Sequence, residues 1–186
     1  MLWPLGRKPA VVKWFMFAAV LVMPLSGAAE VSNDLLVRYL LATVQAFRTV
    51  YVEFVTERVK QVNIQAKEDW VKDSHSIMLP FQFVKVAGQE LKTLVKGVDV
   101  GLVSLTPLYT SNFPKTEAEA EALKKLLADP KLKVLTFNDG KEFKGLSADF
   151  AIEQSCVDCH NHHPNSVKQD FKKGDVMGAI VVRLRL

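Results

Sequence analysis

The residues best equipped for chemistry lie near the C-terminus, in Cys156-Val157-Asp158-Cys159-His160. Two thiols three positions apart can both add to the vinyl groups of one haem, and the adjacent imidazole is then held beneath the iron as an axial ligand. These are the only two cysteines in the chain. A redox-active dithiol would call for a strand–helix–strand frame of the thioredoxin kind, which the surrounding pattern lacks. A zinc site would need two further ligands, and His162 and His163 are too close together in sequence to form a standard second pair. An incidental structural pair is the remaining alternative. The spacing therefore implies one covalently attached haem c on Cys156 and Cys159, with His160 as the proximal iron ligand. His162 and His163 follow at once, placed to meet the edge of the ring, a propionate or solvent. Candidates for the second axial position are His75, the one histidine outside this tract, a vacant apolar site with no side chain on the iron, Met78 or Met177.

The residues around the motif carry a resemblance. Cys156, Cys159, His160, Asn161, His163, Pro164, Ser166, Lys168, Asp170, Gly174, Asp175 and Gly178 fit the C-terminal signature of a PAS-like single-haem cytochrome c family. Val167, Phe171 and Met177 depart from it, and Asn112-Phe113-Pro114 followed by Glu119 or Glu121 is similar to the family's step into a helix. The family occurs as lone periplasmic cytochromes and as the sensory part of membrane-bound kinases and cyclases. The resemblance is specific over roughly the last thirty residues and faint over residues 30–110. It implies a PAS-like antiparallel sheet with the haem on one face and long N-terminal helices, and it places Asn161, His163 and Lys168 at the haem. Some relatives use a cysteine on an N-terminal helix as the distal ligand. Here both cysteines are committed to the porphyrin, and the helix taken as the match carries Phe81, Phe83 and Val84 instead.

Periodicity supplies the elements that must position the motif. From Asn33 to about Ile64, Leu36, Tyr39, Leu40, Val44, Phe47, Val50, Tyr51, Phe54 and others recur at three- and four-residue steps, which predicts an amphipathic helix capped by Ser32 or Asn33. A second helix is expected from about Ser76 to Val95, with Pro80 near its start. Val98 to Leu108 reads as a strand, and Thr116-Glu117-Ala118-Glu119 is a capping box opening a helix to about Ala128. Leu132 to Phe137 and Lys141 to Leu146 read as strands joined by Asn138-Asp139-Gly140. Ser147 to Gln154 is expected to form a short helix leading into the motif, and Met177 to Leu186 the last strand. The whole reads as one α+β domain, 30–186.

The first 29 residues are a separate matter. Arg7, Lys8 and Lys13 form a basic start, Trp14 to Met23 is uninterruptedly apolar, and Ser26-Gly27-Ala28-Ala29 ends the run in small residues. That is the layout of a secretory signal peptide, or of an anchor if it is retained, and it predicts a periplasmic protein held at a membrane only through an uncleaved leader. The net charge of +4 comes largely from this leader. Without it 21 basic residues face 20 acidic ones, so charge gives no reason to expect nucleic-acid binding. The readings that remain are an electron carrier with a redox partner protein, then a redox or diatomic-gas sensing module with a sensor partner, then a haem enzyme. The last is weakest, because no acid–base pair suited to peroxide chemistry stands out. No output domain or internal repeat is evident.

Overall fold

The structure, a computed structural model, describes residues 31–186. The leader expected over 1–29 lies outside the described residues. A long helix comes first: α1 (Asn33–Val50) runs on through a π-helical turn at Tyr51–Thr56, a single turn α2 (Glu57–Val59) and a 3-10 turn at Lys60–Val62. The Ser32 side chain accepts the Leu35 amide and caps its start. Asn63, in the left-handed region at φ 60°, ends it. Two three-residue strands, β1 (Gln65–Lys67) and β2 (Ser76–Met78), pair in parallel before α3 (Pro80–Leu94). The main sheet holds β3 (Val98–Val103), β4 (Val134–Asp139), β5 (Glu142–Phe150) and β6 (Val176–Arg185) in the antiparallel order β3-β6-β5-β4. Between them come α4 (Glu117–Ala128) and α5 (Gln154–His162).

Alternation along β6 makes the sheet two-sided. Ile180 and Val182 face α1 and α3, where Val37, Leu41, Val84 and Val100 complete one core. Ala179 and Val181 face α4, where Ala122, Leu123 and Leu126 complete the other. The helix α1 lies so close to β5 that a Cβ at Gly145 would fall 2.5 Å from Val37 Cγ1, which explains glycine in the middle of a strand. On the α4 face, Glu119 is fully buried. It accepts Arg183 Nε at 2.6 Å and Nη2 at 2.8 Å, Lys144 Nζ at 2.8 Å and the Lys115 amide at 2.8 Å.

The antiparallel sheet and long N-terminal helices are as expected. Three expectations need correction. Residues Ser147 to Phe150 finish β5 rather than starting a helix, because Ser147 and Ala148 pair with Ile180 and Ala179 and the Ala148 amide bonds the Lys133 carbonyl. The motif lies instead inside its own helix, α5. The helix expected from Ser76 starts only at Pro80, whose fixed φ suits a first helical position, and Ser76–Met78 is strand. The capping box at Thr116 forms only in half: its hydroxyl accepts the Glu119 amide, but the Glu119 carboxylate is drawn to Arg183, Lys144 and Lys115.

Candidate functional site

Helical geometry brings the motif together. Positions i, i+3 and i+4 share a helix face, so Cys156, Cys159 and His160 project from α5 in one direction. Val157 points the other way and is buried with Ala151, Phe171 and Met177, which fixes the roll of the helix. Asn161 adds a two-point clamp: its Oδ1 accepts the Phe171 amide at 3.0 Å and its Nδ2 donates to the Phe171 carbonyl at 2.9 Å. The Phe171 ring then stands edge-on to the His160 ring, with centroids 5.6 Å apart.

The motif face opens onto a cleft of about 620 Å³. Cys156, Cys159 and His160 form one wall, Leu108 and Met177 the base, and Leu79, Pro80 and Phe81 an apolar side. Arg48 and Thr56 come from the α1 segment. That segment's buried stripe runs Val37, Leu41, Arg48, Val52, Thr56, and the π turn keeps its later, four-residue steps on one face. The turn's wider hydrogen bond runs from the Glu57 amide to the Val52 carbonyl. Arg48 pairs with Asp149 at 2.8 Å. Burial pushes the Asp149 carboxyl up, with Arg48 opposing.

The two thiols are free, not joined in a disulfide. Burial, with Glu68 and Cys156 nearby, pushes the Cys159 thiol up, the reverse of what activates a redox dithiol. Burial lowers the affinity of His160 for a proton, and His163 and Arg48 add to the effect, so the neutral imidazole that binds metals is favoured. Its Nδ1 is buried and has no partner. Among the described residues, no group of three or more His, Cys, Asp or Glu side chains is gathered to hold a bare metal ion.

The other sequence-predicted site residues divide. His163 lines the cleft: its Nδ1 accepts the Asn165 amide, so Nε2 carries the proton and donates to Glu68 at 3.1 Å. The Tyr109 hydroxyl also donates to Glu68, and burial followed by that carboxylate pushes the phenol up. Asn161 acts on the loop behind the motif, as described. Lys168 pairs with Asp170 at 2.6 Å and lies over the Phe171 ring, outside the cleft lining. His75 is exposed in a turn, where its amide donates to Asp73, and does not reach the cleft. Met78 is outside the lining too, its carbonyl bonded to the Tyr51 hydroxyl, whereas Met177 is within it. Of Phe81, Phe83 and Val84, only Phe81 lines the cleft. Phe83 stacks on Tyr51 at 4.5 Å, and Val84 is in the core beneath α1.

A family model described as Tll0287-like matches residues 29–185. The chain belongs to the Tll0287-like family. The family match spans the helices and the sheet as well as the C-terminal stretch on which the sequence resemblance rested. Among solved structures, the chain is similar to the crystal structure of the cyanobacterial heme-protein Tll0287, with 19% identity over 57% of this chain and 72% of that one and a TM-score of 0.49. No curated protein matches the chain at a significant level.

Proposed function

We propose that this Tll0287-like protein is an exported monohaem c-type cytochrome, with haem held by thioether bonds to Cys156 and Cys159 and His160 as its proximal ligand. In forming each bond the thiol sulfur would join one vinyl carbon and the thiol proton the other. One observation carries the reading: two free thiols and an imidazole leave one helix face together into a largely apolar cleft of cofactor size. The orphaned Nδ1 of His160 fits a ring whose surroundings are completed by a bound group.

Haem iron would supply a one-electron couple, and the first functional reading is electron carriage to a redox partner protein in the periplasm. The chain's part is to hold the ring in a cleft with apolar walls, keep His160 neutral, and fix its orientation through Val157, Asn161 and Phe171. The leader-like residues 1–29 support export. Of the described residues, the helix Asn33–Val62 is long and apolar enough to cross a membrane. Its Val37 and Leu41 are wholly buried against the sheet, while Tyr39, Phe47, Val50 and Phe54 are exposed.

A second reading, binding of a diatomic gas, is favoured by one observation: of the three side chains that could ligate the second position, Met177 packs with Val157 and Phe171 behind α5, and His75 and Met78 are outside the cleft lining. Strong internal ligation by either would need the chain to move. The optical spectrum of the reduced protein with and without carbon monoxide separates the two readings. A low-spin spectrum indifferent to carbon monoxide supports the carrier. Ready formation of a carbon monoxide adduct supports the gas-binding module.

A further inference from the structure

Four buried polar atoms around the cleft lack a hydrogen-bond partner: Arg48 Nη1, Thr56 Oγ1, Asp149 Oδ1 and His160 Nδ1. Buried polar groups in folded proteins are nearly always satisfied, so each of these asks for something that completes it. Asp149 and Arg48 lie 2.8 Å apart and neutralise one another. His160 belongs to the haem motif. Thr56 has no such explanation: it is 2% exposed, uncharged and unpaired.

Its backbone is unusual as well. Thr56 ends the π-helical turn Tyr51–Thr56, the one departure from regular winding before the helix reaches Glu57. Short π turns cost hydrogen-bond geometry and recur at functional sites. In a plain α-helix each four-residue step rotates a side chain about 40° further round the axis. The wider turn holds Thr56 in line with Arg48 and Val52, and so towards the cleft.

We infer that the Thr56 hydroxyl is the hydrogen-bond donor to a small ligand held on the sixth position of the haem iron. This rests on the gas-binding reading. A planar ring ligated on one face from α5 leaves its other face to walls that α5 does not build. On those walls Leu79, Pro80 and Phe81 are apolar. The ionic groups there already have partners at the rim: Lys60 with Glu57 at 2.6 Å, Lys67 with Asp73 at 2.8 Å, and Glu68 with Tyr109 and His163. Thr56 is the neutral, buried donor that remains. Its chemistry suits a two-atom ligand whose outer atom bears a lone pair.

The test uses the full chain matured with covalent haem, as parent, Thr56→Val and Thr56→Ser. Valine keeps the shape and removes the hydroxyl, and serine restores it. Carbon monoxide on the ferrous protein and cyanide on the ferric protein are the probes. With valine, the carbon monoxide stretching band should move to higher wavenumber, because a donor that polarises the ligand is gone. Cyanide affinity should fall roughly tenfold, the effect of losing one hydrogen bond to a charged acceptor. Serine should keep both properties near those of the parent. If valine prevents folding, Thr56→Ala carries the same readout. A valine or alanine variant matching the parent in both probes overturns the inference. A parent that takes up no carbon monoxide overturns it together with the gas-binding reading, while leaving covalent haem intact. A chain without covalent haem overturns the primary reading too.

Discussion

Replacing Glu119 by glutamine should destabilise the domain by about 3 kcal/mol at neutral pH, and the deficit should disappear in acid. Burial alone would raise the Glu119 carboxyl, but hydrogen bonds from Arg183, Lys144 and the Lys115 amide outweigh it and hold the group at about 2, against an ordinary 4.5. That lowering corresponds to about 3 kcal/mol favouring the folded state once the carboxyl is ionised. Breaking a buried ion pair on one side costs about 3–5 kcal/mol in general. The lower end applies here, because Asp99 remains beside Arg183 and Asp139 and Glu142 beside Lys144. A depressed folded-state value contributes stability fully above the unfolded value. The gap between parent and Glu119→Gln should therefore be complete above pH 4.5, narrow below it, and close as the pH falls through about 2. Urea unfolding of both proteins at pH 7 and at several acid pH values measures it. A deficit below about 1 kcal/mol at pH 7, or one that does not change with pH, would refute the claim that this carboxylate pins α4 to β5 and β6.

Two further outcomes follow from the cleft. His75→Ala should leave the visible spectrum of the haem-loaded protein unchanged, since His75 is exposed and outside the cleft lining; conversion from low to high spin would show that the chain rearranges to bring it in. Asn161→Ala should cost about 2 kcal/mol in urea unfolding, because it strips the Phe171 amide and carbonyl of their side-chain partner, and a change within experimental error would mean that the clamp does not hold the loop.

What was legible in the sequence was local. The motif needs only the i, i+3, i+4 geometry of a helix, and it declares itself in five residues. The long helices, the hairpin at Gly140 and the last strand follow from periodicity and turn residues. The rest of the cleft is assembled from distant segments: Arg48 meets Asp149, and Glu68 meets Tyr109 and His163. No local pattern records such pairings. One signal was present, since Arg48 sits on the apolar stripe of its helix, where a charge has to find a buried partner. His75 is a candidate only by elimination, as the histidine outside the motif tract, and the bond from its amide to the Asp73 carboxylate holds it in an exposed turn. Ser147 to Phe150 looked helical in isolation, but pairing with β6, about thirty residues further on, makes it strand.

The most direct test of the account asks whether haem is covalently bound through the motif. The full chain is produced in a host with c-type maturation, denatured, extracted with acidified organic solvent and examined by haem-stained electrophoresis and intact-protein mass. The account predicts that the denatured polypeptide keeps its haem colour and carries the added mass of one haem, and that Cys156→Ala with Cys159→Ala abolishes both. Haem released into the solvent from the parent protein, or a polypeptide of unmodified mass, would contradict it.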